Sequence, residues 1–65
     1  MKTPAELRAE AADKYRTAAL ARRIGPSLSL AADRVSMHAL AEQKEAEGAA
    51  LVAEADAMER QNRND

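Results

Sequence analysis

The sequence predicts an all-α fold, an antiparallel helical hairpin whose second helix is the longer. Three observations predict it. Seventeen of the 65 residues are alanine and only Tyr15 is aromatic, a usage that favours helix and disfavours sheet. One strong stop, Gly25-Pro26-Ser27, separates two long stretches that contain no other internal proline. In the second stretch, large apolar residues return every seven positions.

The first helix is expected over about 4–24. Thr3-Pro4-Ala5-Glu6 puts a hydroxyl at the N-cap, proline at the first helical position and a carboxylate at the third, which makes a capping box. Arg22 and Arg23 fall in the last turn, where cations suit the helix dipole. At about 100° per residue, Leu7, Ala11, Ala12, Tyr15, Ala18 and Ala19 gather on one side. Tyr15 is expected to fill the space those alanines leave.

The loop is expected over 25–29. Gly25 can adopt the left-handed conformation that closes a helix, and Ser27 or Ser29 can cap the helix that follows. So short a connection folds the helices back on each other.

The second helix is expected over about 30–61, followed by a frayed polar tail at 62–65. Leu30, Met37, Lys44, Leu51 and Met58 are spaced by seven, and Arg34, Ala41, Gly48 and Ala55 follow each of the first four after four residues. This is a heptad seam with large residues at one position and mostly small ones at the other, widened by Leu40. Gly48 fits either close packing or a bend. A break there, giving a compact three-helix bundle, is the alternative architecture. A second apolar stripe of alanines with Val35 runs along another side of the helix, and two apolar faces call for two neighbours.

All of residues 1–65 form one helical domain, since a chain this short supports one at most. It buries a small fraction of its surface and usually needs a staple. There is no cysteine, so disulfides and thiolate metal sites are excluded, which fits a reducing cytoplasm. Oligomerisation is the staple left. By length, helix 1 should leave the distal third of helix 2 uncovered, with Leu51, Val52, Ala55 and Met58 facing water. A homo-oligomer follows, in the simplest case a dimer closing a four-helix bundle, with Leu30, Met37, Leu40, Ala41, Gly48, Leu51, Ala55 and Met58 as the interface. Another helical protein could take the partner's place.

Residues 1–34 carry seven basic and four acidic side chains, and residues 35–65 carry three and seven. Opposite signs favour antiparallel pairing, within a chain or between chains. The overall net charge of −1 gives no drive toward nucleic acid or membrane. No apolar run approaches transmembrane length, and no signal-peptide core opens the chain. The expectation is a cytoplasmic protein. Its alanine and arginine usage suits a GC-rich bacterial or phage genome.

His38 with Glu42 and Glu45 on one face is the nearest approach to a metal set, but the paired-helix carboxylate motif is absent. No metal or cofactor is expected. Tyr15 and Lys14 lack a nucleophile–base–orienter set, and there is no glycine-rich phosphate loop, so neither catalysis nor a small-molecule substrate is expected. Arg16, Arg22, Arg23 and Arg34 cluster near the loop and could touch phosphates. Helix 2 is acidic and poor in base-reading side chains, which weighs against it. The sequence therefore reads as a non-catalytic interaction module, acting as a small adaptor, regulator or assembly component. A nucleic-acid-binding regulator and a structural component of a larger particle such as a virion are the alternatives.

Overall fold

The computed structural model describes residues 1–63. Helix α1 covers Pro4–Ile24 and helix α2 covers Ala31–Arg63, joined by a 3₁₀ turn at Gly25–Ser27. No strand occurs among the described residues. The expected capping box opens α1: Glu6 N–H donates to Thr3 Oγ1, and Thr3 N–H donates to the Glu6 carboxylate, both at 3.2 Å. α2 is one helix through Gly48, so the three-helix alternative is excluded. It runs through Asn62 and Arg63, which were expected to fray. The other two tail residues, Asn64 and Asp65, lie outside the described residues.

The turn departs from expectation. Gly25 has φ −49° and ψ −52°, right-handed helical, and no described residue has positive φ. Its requirement is steric: a Cβ there would stand 3.1 Å from Met37 Cβ. α2 passes close against it, so a side chain there would press on Met37. Neither serine caps α2 in the way expected. The Ser27 hydroxyl donates to the Ile24 carbonyl at 2.7 Å, so it serves the end of α1. The first turn of α2 closes on the Leu30 carbonyl, which accepts from the N–H groups of Asp33 and Arg34. Arg34 Nη1 then reaches back to the carbonyls of Leu28 and Ser29, at 2.8 and 3.1 Å. Those carbonyls would otherwise have no backbone partner.

The core is built almost wholly of alanine. Leu7, Ala11, Ala18 and Ala21 of α1 are buried, with Gly25, and they face buried Ala41, Gly48 and Ala55 of α2. The α1 stripe is rotated from the expected one: Ala12, Tyr15 and Ala19 are exposed, and the partly buried Lys14 completes the register 7-11-14-18-21-25. A lysine hid that register in the sequence. It stands at a seam position half-buried while its ammonium reaches Glu47, as a long cationic chain can. Among the described residues no large side chain is fully buried.

Tyr15 still has a packing role, at the edge of the seam. Its ring lies over Gly48, where an added Cβ would stand 3.0–3.2 Å from three ring atoms. The glycine makes room for the ring, and α2 continues unbroken. Substitutions should show this. Gly48→Leu should cost about 1–3 kcal/mol in urea unfolding, because the ring must leave its place. Gly48→Ala should be near neutral, since about 1 kcal/mol of helix propensity offsets the displaced ring. In a Tyr15→Ala background the same change should stabilise by about 1 kcal/mol, and additive single and double mutants would disprove the contact.

Candidate interaction surface

The heptad seam read from α2 is the surface that α1 occupies. Ala41 and Ala55 are 0% exposed and Gly48 is buried. Met37, Leu40, Leu51 and Met58 are partly buried, and Leu30, at 64% exposed, stands outside. Met37 and Leu40 pack on the buried cluster of Ala18, Ala21 and Ala41. Ala55, expected in water, is wholly covered, and Leu51 and Val52 are partly so.

The reason is where the length mismatch falls. Gly25 meets Met37, and Tyr15 meets Gly48. In that register Leu7 reaches the depression that Leu51 and Met58 line at the far end. The surplus of α2 is therefore divided: Ala31–Ser36 overhang at the loop end, roughly 9 Å at 1.5 Å per residue, and Arg60–Arg63 extend past the start of α1 at the other, roughly 6 Å. The extended Leu28 backbone, with ψ 137°, carries the chain past the end of α1 before α2 begins. Large exposed apolar side chains accordingly gather near the loop: Leu20, Ile24, Leu30 and Val35. The alanines of the second stripe are all exposed, and apart from Ala50, at the margin of a groove with α1, they lie on the side of α2 turned away from it.

The charge separation between the two halves is used within the chain. Arg22 makes a two-pronged pair with Glu45, both bonds 2.7 Å. Arg8 bridges Asp56 and Glu59. Lys14 and Lys44 both reach Glu47 Oε1 at 3.3 Å, one from each helix. These contacts pin an antiparallel register that alanine methyls alone define weakly. Arg8, Lys14 and Glu47 were not singled out in the sequence, although the sign asymmetry pointed to such pairs.

The basic cluster is largely committed. Arg16 pairs with Asp13 at 2.8 Å, Arg22 with Glu45, and Arg34 with loop carbonyls. Arg23 alone of the four has no ion pair or hydrogen bond among the described residues. The His38 set is divided: His38 Nε2 lies 2.9 Å from Glu42, while Glu45 faces Arg22. No group of three His, Asp or Glu side chains suited to a metal gathers among the described residues. No described helix is long and apolar enough to cross a membrane.

The hydrogen bond from Arg22 holds the Glu45 carboxyl below its ordinary value of 4.5 and raises the arginine. For Glu47, burial acts to raise its value, but donors from Lys14, Lys44 and Gln43 together outweigh it and lower it. Lys2 is raised by its bond to Glu10. No protein family, curated protein or solved structure matches this chain.

Both glutamates bind their proton less readily folded than unfolded. Their stabilisation is therefore complete above the unfolded value near 4.5 and is lost as pH falls through and below it. Circular dichroism melts between about pH 7 and pH 3 should show Tm falling below about pH 5. Glu45→Gln should lower Tm at pH 7 and flatten that fall. A parallel curve for the variant would remove Arg22–Glu45 from the account.

Proposed function

We propose that this chain is a non-catalytic helical interaction module. Two copies close into a four-helix bundle that serves in the cytoplasm as a small adaptor, regulator or assembly component. The observation that carries the proposal is the thinness of the single chain. Its extents are 55 × 16 × 13 Å and its radius of gyration is 15.2 Å, against about 11 Å for a compact chain of 65 residues. It leaves 4719 Å² accessible, where a compact protein of this mass leaves about 4,000 Å². Two helices in contact along one line shelter only that line, and here the line is alanine.

The heptad residues have a second use in this reading. Leu40, Leu51 and Met58 keep part of their surface free after α1 is seated, and Leu20 and Ile24 are freer still. A partner adds to the stability of a chain whose own core holds a single leucine. The lack of cysteine suits a reducing compartment.

Sedimentation equilibrium should give twice the 7.0 kDa chain mass at micromolar concentration, and Tm should rise with protein concentration. A 7.0 kDa species with constant Tm at all concentrations defeats the reading. Leu51→Asp should lose the dimer mass together with about 2–3 kcal/mol of stability. Unchanged mass and stability would remove Leu51 from the interface.

A further inference from the structure

Two copies of a 55 × 16 × 13 Å rod can meet end to end or side by side. The end offers 16 × 13 Å, roughly 200 Å², and the side 55 × 16 Å, roughly 900 Å², while a specific interface takes about 800 Å² from each partner. Only the side is large enough.

The sides differ in chemistry. One groove between the helices is closed by Arg22–Glu45 and by Arg8 on Asp56 and Glu59. The outer side of α2 has no apolar group larger than Val35, its methyls standing among Ser36, Glu42, Gln43 and Arg60. The opposite groove carries the larger apolar groups. On α2, Leu40, Glu47, Leu51, Glu54 and Met58 follow at intervals of seven, four, three and four, which keeps them on one side. Glu10 and Lys14 of α1 line a depression with Glu47, Leu51 and Glu54, and Ile24 repeats the angle of Glu10 fourteen residues on. This side therefore has an apolar patch near the loop (Leu20, Ile24, Leu40) and another at the far end (Leu51, Met58). Between them Glu10, Lys14, Lys44 and Glu47 sum to no net charge.

The rod is also electrically polar. With Tyr15 opposite Gly48, the loop half is residues 16–46, which hold five basic and three acidic groups, a net of +2. Glu47 lies at the middle, and the remaining residues hold five basic and seven acidic groups, a net of −2. Parallel copies would lay like charge on like charge. Antiparallel copies lay the cationic end of each along the acidic end of the other.

Resting on the self-association reading, we infer that the second copy docks antiparallel on this groove, about a two-fold axis near Glu47. Leu40 lies seven residues before Glu47, and the midpoint of Leu51 and Met58 lies about as far beyond it, roughly 10 Å each way. Leu40 of each copy then falls between Leu51 and Met58 of the other. Leu20, midway between Tyr15 and Gly25, stands opposite a point about one turn before Glu47, and Leu51 lies one turn after it. The same axis brings Leu20 of one copy to Leu51 of the other.

The chain has no cysteine, so introduced thiols are the only ones present. Single variants Leu20→Cys, Leu51→Cys and Ala53→Cys, the last on the outer side of α2, are refolded alone and in pairs, oxidised and separated under denaturing conditions. Circular dichroism checks that each remains helical, and Leu20, at 51% exposed, tolerates replacement. The inference expects the Leu20→Cys and Leu51→Cys pair to give a mixed disulfide several-fold above either variant alone, with Ala53→Cys staying monomeric. A dominant Leu20→Cys homodisulfide would establish parallel pairing, and dominant Ala53→Cys linkage would move the contact to the alanine side. Either overturns the inference while sedimentation still reads a dimer. A monomer by sedimentation overturns self-association and this geometry together.

Discussion

Two helices approach only as closely as the smallest side chains between them permit, and the rest of this structure depends on that limit. Ala11, Ala18 and Ala21 face Ala41, Gly48 and Ala55, so the backbones meet across methyl groups and a bare Cα. Close approach brings long side chains at the margins within reach of the opposing helix. The paired prongs of Arg22 on Glu45, and two lysines on one Glu47 oxygen, are consequences of that proximity. The small residues set the distance, and the charged margins set the register.

The division of labour is physically sensible. A strip of near-identical methyls can slide by a turn with little change in contact. Exposed ion pairs contribute little individually to net stability. They are nonetheless directional, and four of them across one seam make a slipped register place charges against the wrong neighbours. Tyr15 over Gly48 adds a steric key, since a slide of one turn would set the ring against a residue with a Cβ.

Much of the fold was legible in the sequence because its signals are local. Thr3, Pro4 and Glu6 announce the start of α1, and Gly25-Pro26 announces the turn. The seven-residue recurrence along α2 marks the side that packs. What escaped was non-local. Lys14 occupies a seam position that pattern reading assigns to solvent, so the true α1 stripe was missed. The three residues Leu28–Leu30 shift the start of α2 beyond the end of α1, and no propensity encodes that displacement. Helix lengths alone placed the whole surplus of α2 at the far end, whereas the fold divides it between the two ends. The seam of α2 was legible as a set of residues, but not that α1 itself covers most of it. The arginines near the loop were visible, whereas the partners of Arg22 and Arg34 emerge only once the chain is folded.

A seam of alanine inverts the ordinary logic of a protein interior. Most cores are injured by truncation, because a removed side chain leaves a hole. Here there is almost nothing to truncate. Injury comes from enlargement, which wedges the helices apart along their length and loosens every marginal contact at once. The chain should therefore drift freely in sequence on the outer side of α2, while the positions least informative to a hydropathy profile are the ones it can least afford to enlarge.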